Sequence, residues 1–539
     1  MRAMLRRVLD WLESRTGVET AVKHFLYEDI PASAGWHQVL GSVALFAFMT
    51  QAFTGVLLAF NYAPTPGDAY NSLRYIVTEL TAGRIIRGLH HWGASLMIIV
   101  VVLHMTQVFL WGAYKKPRET TWMVGVVLLL VTLAYGLTGY LLPWDNRAYW
   151  GTVVTTQIAS QAPGAGPYLL RLLGSDGGSI GVVTFARFYA AHVLLLPPLT
   201  MLLVGIHLYL IRRHGVTPTP QDEGIPKKKF YPEQVFKDTV ATFVWFAVLA
   251  VMAVAVQVPL GRIADPTDIS FIPRPEWYFL FLFQLLKLFE GPLEIVGSVV
   301  LPTLAILTLF LVPFLDRGQV LRVRNRTGAI ALVALGVIGW SGLTARAVAT
   351  TPPSTESPNA GLAEIEPWQQ IPPDQLAAIG YFRKDNCGNC HILDKSGPGP
   401  DLTKTPSHRP DDWLMQHFRQ PARNAPATQL SGAELKTLAA FVTKRDDKAV
   451  EAWISAPQAG VEGAMVYEAN HCGMCHQLNG VGQKVGPPLN GLADHRARDW
   501  VEGHFADPQK FTPGSTMPPY KLSSHDLDRL TSYLLEIPK

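Results

Sequence analysis

Four histidines in two strongly apolar segments are the residues of this chain best placed to do chemistry. His90 and His104 lie fourteen positions apart in one segment, and His192 and His207 lie fifteen apart in the other. Histidine is costly inside a membrane, so its presence there indicates a functional group with a partner. Imidazole nitrogen is a common axial ligand of haem iron, and we expect haem to be that partner.

The spacing places each pair on one side of its helix. At 100° per residue, His104 falls roughly 40° from the face of His90, and His207 roughly 60° from that of His192. The two levels lie roughly 21 Å apart, near the two surfaces of a bilayer core of about 30 Å. If the helices are parallel, His90 and His192 hold one haem, and His104 and His207 hold the other. His91 falls about 140° from His104, which favours His90. Histidines that merely hydrogen-bond in a core are the alternative.

Four glycines repeat the same interval. Gly41 and Gly55 lie fourteen apart in one apolar segment, and Gly125 and Gly139 do so in another. Glycine lets a flat group approach the backbone, so we expect these residues to pack against the two haems. Small-residue packing between membrane helices is the alternative.

The composition indicates a membrane protein with a soluble part. The chain has 539 residues, of which 48% are hydrophobic and 16% charged. Stretches long enough to span a bilayer predict seven helices. They lie near 38–60, 89–112, 121–142, 189–211, 239–257, 296–315 and 328–345.

The basic residues predict the topology. Lysine and arginine cluster within 2–23, 115–118, 212–237 and 317–326, which places these segments in the cytoplasm of a bacterium by the positive-inside rule. The protein is therefore expected in the bacterial inner membrane, with a cytoplasmic N-terminus and a periplasmic C-terminus. Spans two and four are then parallel, as the haem pairing requires.

All four cysteines lie in two C-x-x-C-H motifs, the attachment pattern of c-type haem. The motifs are Cys387-Gly-Asn-Cys390-His391 and Cys472-Gly-Met-Cys475-His476. A redox dithiol or half of a zinc site is the alternative, but no cysteine remains to complete a zinc site. Covalent haem attachment takes place outside the cytoplasm, in agreement with the predicted topology.

The C-terminal part repeats. Asp412-Trp413 with His417-Phe418 follows the first haem motif, and Asp499-Trp500 with His504-Phe505 follows the second. A Pro/Ser/Thr stretch before them reads as a tether. The predicted divisions are 1–215 and 216–348 in the membrane, a periplasmic linker at 349–365, and two haem units at 366–449 and 450–539.

The two haem units differ in the sixth iron ligand. Met517, in a Pro-rich loop, is suited to face His476. The corresponding loop of the first unit, 425–430, has no methionine. Met415, His408 and His417 are the candidates there, and an open position is also possible. Met415 lies on the same predicted helix as Trp413, so a plain core role is its alternative, and His417 has a counterpart, His504, in a unit that does not need it.

Several membrane motifs together resemble cytochrome b of the quinol-oxidising bc and b/f complexes. They are Arg87-Gly-Leu-His90-His-Trp-Gly-Ala-Ser95, Lys115-Lys-Pro-Arg-Glu119, Gly139-Tyr-Leu-Leu-Pro-Trp144, Arg187-Phe-Tyr-Ala-Ala-His192 and Pro275-Glu276-Trp277-Tyr278. The resemblance covers roughly 20–345 and is closer to the chloroplast type, whose second half is a separate subunit. Val39 stands where that type has a haem-binding cysteine, so we expect no covalent haem in the first membrane helix.

The resemblance implies an all-α fold: a seven-helix transmembrane bundle with two bis-histidine b haems, followed by two small helical class I-like cytochrome c domains. It also implies two quinone sites. Glu276, Tyr278, Tyr140 and Gly151 would form the periplasmic quinol site, with Glu276 as proton acceptor. Arg212, Lys237 and Asp238 would form the cytoplasmic quinone site, and Arg87 would pair with a haem propionate. A glutamate at a helix N-terminus and basic topology anchors are the plainer alternatives.

The expected function is that of a cytochrome b/c fusion subunit in a proton-translocating quinol:cytochrome c oxidoreductase. One electron of quinol would pass to a Rieske [2Fe-2S] partner and then to the two c haems, and the other through the two b haems to quinone. Expected partners are the quinone pool, a cytochrome c or terminal oxidase as acceptor, and a second copy of the complex, but no nucleic acid. A non-bifurcating electron conduit and a dihaem anchor of a dehydrogenase are the alternatives. The residues do not identify the quinone.

Overall fold

The computed structural model describes residues 2–538 except 177–178, 265, 267–270, 290, 320–321, 352–358, 360–361, 363–364, 405, 422–426, 495 and 497. The chain forms two compact units. The membrane unit comprises Met1–Gly261 and Phe271–Leu362, and the C-terminal unit comprises Arg262–Ser270 and Ala363–Lys539. Most of the predicted linker, 349–365, lies outside the described residues.

The described residues contain seven helices long and apolar enough to span a membrane, which confirms the predicted number. They are Trp36–Ala59, Gly83–Trp111, Glu119–Tyr140, Val182–His214, Glu233–Ala255, Gly291–Leu315 and Thr327–Thr350. The second and fourth begin several residues before the predicted apolar stretches. An apolar window detects the part of a helix inside the bilayer, whereas backbone hydrogen bonding continues into the polar interface.

Shorter elements connect the spans. Helices occupy Arg2–Thr16, Val18–Leu26, Ala69–Thr78, Asn146–Ser160, Gly166–Leu173 and Leu280–Leu286, 3₁₀ turns occupy Trp277–Phe279 and Val323–Asn325, and strands Asp29–Ile30 and Lys228–Lys229 pair antiparallel. The 3₁₀ turn that begins at Trp277 leads directly into the helix Leu280–Leu286.

Spans one, two and five share an apolar core. It includes Val43, Phe48, Met97, Trp245 and Leu249, all buried. Span three packs against span four, and span seven against Leu280–Leu286. The four histidines therefore lie on spans two and four, which pack against spans one and three respectively.

A charged network joins two connecting segments of the membrane unit. Asp316, after span six, pairs with Lys115 and with Arg326, whose guanidinium lies 2.5 Å from the carboxylate. The Tyr114 hydroxyl donates to Asp316 and accepts from Arg326 at 2.8 Å. These bonds hold the loop after span two against the connection between spans six and seven.

The two haem motifs belong to one compact unit with a common hydrophobic core. Its helices are Pro373–Lys384, Asp411–Arg419, Gly432–Thr443, Asp447–Ser455, Gln458–Ala469, Arg498–Ala506, Pro508–Phe511 and Ser524–Glu536. Buried residues from both repeats, among them Ile379, Trp453 and Tyr533, belong to that core. Helix Gln458–Ala469 packs against Pro373–Lys384 of the first repeat and Ser524–Glu536 of the second. The repeats therefore stabilise each other.

Candidate functional site

His90 and His192 face each other from spans two and four. Their ring centres are 6.3 Å apart and their planes are inclined by 70°. A metal that bonds two imidazole nitrogens at about 2 Å each would hold the ring centres roughly 6 Å apart. The observed separation therefore fits a pair of axial iron ligands.

Two threonines set which nitrogen of these rings faces the gap. The Thr54 hydroxyl donates to the Thr50 carbonyl at 2.7 Å and lies 3.0 Å from Nδ1 of His90. Thr138 has the same arrangement with the Ala134 carbonyl, at 2.8 Å, and Nδ1 of His192, at 3.0 Å. Because each hydroxyl proton is already donated, its oxygen accepts from Nδ1–H. We assign the proton to Nδ1, which leaves Nε2 free to bind iron.

Span four reaches its second histidine through a π-helical turn. The turn, Ala191–Leu195, contains His192, and Pro197 and Pro198 follow it. A π turn adds one residue to an otherwise α-helical ladder. The fifteen-residue interval from His192 to His207 therefore covers the same rotation as fourteen residues of α-helix, the interval from His90 to His104. The π turn that causes this was not predicted from the sequence.

Each of the four predicted glycines lies against one histidine ring. A Cβ built on Gly55 would lie 3.2 Å from Cε1 of His90, and one on Gly139 2.6 Å from Cε1 of His192. Gly41 bears the same relation to His104, at 3.3 Å, and Gly125 to His207, at 3.5 Å. Their common interval thus matches that of the histidines, because each glycine makes room for an imidazole. Contact with a porphyrin stays a prediction.

The His104/His207 pair lacks the threonine partner. The two residues lie within electrostatic reach of each other. Within the part of the chain that the structure describes, Nδ1 of His104 is buried without a hydrogen-bond partner, whereas His207 has the Thr121 backbone beside it and no threonine hydroxyl. The two sites are therefore alike in glycine packing and differ in the hydrogen bond that orients the ligand.

This difference leads to a prediction for the His90/His192 site. Hydrogen bonding from Nδ1–H makes the imidazole a stronger donor and favours ferric iron. We expect Thr54→Val and Thr138→Val each to raise the midpoint potential of the haem predicted at this site, and of no other haem. A lost hydrogen bond of about 1 kcal/mol corresponds to roughly 40 mV for one electron. Redox titration with optical detection measures the shift.

Thr132→Val is the matched control for Thr138→Val, because this buried threonine lies on the same helix, Glu119–Tyr140, and its bond among the described residues is to the helix carbonyl of Leu128. An equal shift in both b haems, or a shift with Thr132→Val, would contradict the assigned hydrogen bonds.

The two C-x-x-C-H motifs have the same local geometry. Each begins with a 3₁₀ turn, Cys387–Asn389 or Cys472–Met474. Nδ1 of His391 lies 2.9 Å from the Pro400 carbonyl, and Nδ1 of His476 lies 2.8 Å from the Pro487 carbonyl. A carbonyl only accepts, so Nδ1 carries the proton and Nε2 is free in both. These features fit covalent haem with histidine as the fifth ligand; Met517, which lies partly buried against the core, stays a predicted sixth ligand.

A cavity of about 320 Å³ opens on His91, the residue that follows His90 in span two. It is lined by Glu276, Arg147, Arg274, Trp277, Trp92 and His91 among others. The Glu276 side chain is 16% exposed, and its carboxylate lies 3.5 Å from the Arg147 guanidinium. Burial raises the pKa of Glu276 above its ordinary value, Arg147 opposes that rise and Asp145 adds to it. The cavity thus holds a carboxylate suited to proton exchange.

The other predicted residues of this site support its wall. The Tyr140 hydroxyl donates to the carbonyls of Arg147 and Arg274 at 3.0 and 3.1 Å. Gly151 is packed against Tyr140, since a Cβ there would lie 2.6 Å from the ring. The Tyr278 ring lies against Gly136 of span three. Only Glu276 of the four predicted residues lines the cavity.

Sequence analysis missed His91 and Arg147 as cavity residues. His91 follows a predicted ligand and was considered only as its competitor; on a helix, adjacent residues point about 100° apart, which directs it to the cavity instead. Arg147 is the second residue of the helix Asn146–Ser160, which follows a Pro-Trp-Asp turn. An arginine within reach of Glu276 has no sequence signal, because 129 residues separate them.

A second cavity, of about 500 Å³, lies on the side of spans one and five. Asp238 and Ser42 line it and are joined by a 2.9 Å hydrogen bond. The Arg212 guanidinium stacks 4.7 Å over the ring centre of Phe25, another lining residue, and pairs with Glu28. Lys237 pairs with Glu233 at 2.5 Å. Asp238 therefore lines the cavity, and Arg212 packs on its wall through Phe25. Lys237 forms an ion pair with Glu233 instead of lining the cavity.

Arg87 is buried and bonds to the backbone. Its guanidinium donates to the carbonyls of Val258 at 3.2 Å and Pro259 at 2.6 Å. These bonds tie span two to the segment after span five. The predicted propionate contact stays a prediction.

Four family models match the chain in succession. "Cytochrome b/b6/petB" matches residues 29–215, and "Cytochrome b(C-terminal)/b6/petD" matches 263–360. "Cytochrome C oxidase, cbb3-type, subunit III" matches 374–442, and "Cytochrome c" matches 460–538. The matches follow the order of the predicted divisions.

Whole proteins similar to the chain agree with these matches. A cytochrome bc complex cytochrome b subunit of Chlorobaculum thiosulfatiphilum is 37% identical over 58% of this chain and 74% of its own. Cytochrome b6 of Acaryochloris marina is 37% identical over 40% of this chain and 99% of its own. A solved structure titled hyperthermophilic respiratory Complex III matches with a TM-score of 0.57 and 29% identity, over 64% of this chain and 92% of that one.

Proposed function

The chain belongs to the cytochrome b family of bc-type complexes and carries cytochrome c domains at its C-terminus, and we propose from this that it oxidises quinol at the Glu276 cavity. The observation that carries the proposal is that His91 and the buried Glu276 carboxylate line the same cavity. His91, which lines it, directly follows His90 in span two. A quinol bound there would lie beside the predicted b-type haem and beside a buried carboxylate.

Oxidation of quinol to quinone releases two electrons and two protons. Ionised Glu276 accepts one proton, and Arg147 keeps part of the Glu276 population ionised despite burial. When bound, the haems supply one-electron transfer, through the histidine pairs and through the C-terminal unit. The Glu276 side is the periplasmic one by the positive-inside rule, so protons are released there.

The Asp238 cavity is the proposed site of quinone reduction. Its lining is mostly apolar, as a quinone ring and tail require, and Asp238 is its carboxylate. Ser42 holds that carboxylate through the 2.9 Å hydrogen bond. Asp238 then delivers a proton taken up from the cytoplasm.

We further propose that the two electrons separate. One leaves through a Rieske [2Fe-2S] partner, the c haems and a cytochrome c or terminal oxidase, and the other crosses the membrane through the two histidine pairs. The chain has only four cysteines, all in the haem motifs, so the cluster belongs to another subunit. The complex as a whole is proposed to be a proton-translocating quinol:cytochrome c oxidoreductase.

Turnover of the purified complex tests this proposal. Quinol and an oxidised cytochrome c are supplied with and without the Rieske subunit, and cytochrome reduction is followed optically. We expect removal of the Rieske subunit to abolish turnover, and re-addition to restore it. Unchanged turnover without it would contradict separation of the electrons and favour a simple electron conduit.

A further inference from the structure

We propose that His417 is the sixth iron ligand of the haem attached at Cys387 and Cys390, so that the first c-type site is bis-histidine. The rings of His391 and His417 have centres 6.0 Å apart and planes inclined by 78°. That separation is close to the 6.3 Å between His90 and His192. It also fits the roughly 6 Å expected when a metal bonds two imidazole nitrogens at about 2 Å each.

The orientation of both rings is held by neighbours. Nδ1 of His391 is occupied by the Pro400 carbonyl, which leaves Nε2 as its iron ligand. His417 is stacked on Trp413, with ring centres 4.9 Å apart and planes inclined by 9°. The Arg409 guanidinium lies over Trp413 at 4.9 Å. This three-layer stack fixes the His417 ring before any ligand binds, which lowers the entropic cost of coordination.

The other two candidates are placed elsewhere. His408 is exposed. Met415 is two residues from His417 on the helix Asp411–Arg419, about 200° round the axis, and packs against the hydrophobic core. Residues 405 and 422–426, which lie outside the described part, include neither histidine nor methionine.

The second repeat contains the same stack and thus a matched control. His504 is stacked on Trp500 at 4.5 Å, and Arg496 lies over Trp500 at 4.5 Å. That repeat has Met517 in its loop, whereas the first has no methionine at the corresponding place. Each repeat therefore holds a histidine stacked on the tryptophan of the same helix. Because the first repeat has no loop methionine, His417 is its ligand.

A bis-histidine site would give the two c haems different roles. Methionine as an axial ligand raises the potential of a c-type haem relative to histidine. The haem at Cys387 would accordingly be the lower-potential member, and electrons would pass from it to the haem at Cys472. This inference rests on the haem attachment in the proposed function and not on quinol oxidation.

Spectroscopy of the purified complex tests the ligand without relying on turnover. We expect wild-type c haems to be entirely low-spin by electron paramagnetic resonance, with at most one methionine–iron charge-transfer band by magnetic circular dichroism. His417→Ala should convert half of the haem c signal to high-spin, whereas His504→Ala and Met415→Leu should convert none. A high-spin c haem or two methionine bands in the wild type would overturn the proposal, as would a low-spin His417→Ala variant.

His417→Met covers the case in which the alanine variant loses its haem. A methionine there keeps a sixth ligand, so the variant should gain one methionine–iron band and the potential of one c haem should rise. An unchanged spectrum and unchanged potentials would refute coordination by residue 417. Quinol oxidation plays no part in these measurements, so failure here leaves the proposed function standing.

Discussion

We expect Glu276→Gln to lower the rate of quinol oxidation by about 100-fold or more, the usual contribution of a positioned general base. Glutamine keeps the size and the hydrogen-bonding capacity of the side chain but cannot accept the proton. Both b haems should keep their spectra, because Glu276 lies in the cavity and not between the histidine pairs. Stopped-flow reduction of the b haems by quinol measures the step directly.

The direction of the Glu276 pKa shift predicts how the rate of quinol oxidation depends on pH. Burial raises the pKa of Glu276, so the carboxylate is lost as pH falls through a value above the ordinary one. The wild-type rate should therefore fall on the acid side of that raised pKa, and the Glu276→Gln rate should be low throughout. Glu79→Gln, which changes an exposed glutamate, is the control and should keep the wild-type profile. An unaltered rate in Glu276→Gln would refute its role as base.

Arg147 offers a second measurement on the same carboxylate. Its guanidinium lies 3.5 Å from Glu276 and lowers the pKa of that group. Arg147→Gln should move the acid limb to higher pH while the rate on the alkaline plateau changes less. A purely structural role for Arg147 would lower the whole profile without moving the limb.

Helix periodicity was sufficient for the number of spans and anticipated that His90 and His192 face each other, while their binding of haem stays a prediction. Both depend on local spacing and hydrophobicity, which a single sequence displays. The π turn at Ala191–Leu195 was not predicted, because one inserted residue in a helix leaves no compositional mark. The cavity residue Arg147 was missed because its proximity to Glu276 arises from the packing of distant segments.

The glycine interval was noticed, but the contact it reflects needed the structure. A residue without a side chain indicates close approach and does not say of what. At Gly55 and Gly139 the approaching atom is Cε1 of an imidazole on the neighbouring helix. The four glycines cannot be ranked by closeness to their histidines from the sequence, because their sequence surroundings are similar and only the helix–helix distances differ.

Of the four glycines, Gly139 has the shortest distance to its histidine. Gly139→Ala is therefore expected to have the largest effect on haem binding. The added Cβ would lie 2.6 Å from Cε1 of His192, which contacts in proteins essentially never allow. His192 must shift relative to His90, or spans three and four must part, at a cost of about 1–3 kcal/mol for overpacking. Because His90 and His192 must be correctly spaced to bind one iron, we expect loss of that haem and half of the haem b content by pyridine haemochrome assay.

The other glycines make this a graded test. A Cβ on Gly55 or Gly41 would lie 3.2 or 3.3 Å from its histidine, and one on Gly125 3.5 Å, an ordinary contact. Retention of haem b should therefore increase in the order Gly139→Ala, Gly55→Ala and Gly41→Ala, Gly125→Ala. Gly205→Ala, in the same span as His192 with no neighbour within 4 Å, should retain all of it. Equal losses at Gly139 and Gly205 would indicate general helix disruption, whereas loss at Gly139 alone identifies the imidazole contact as the cause.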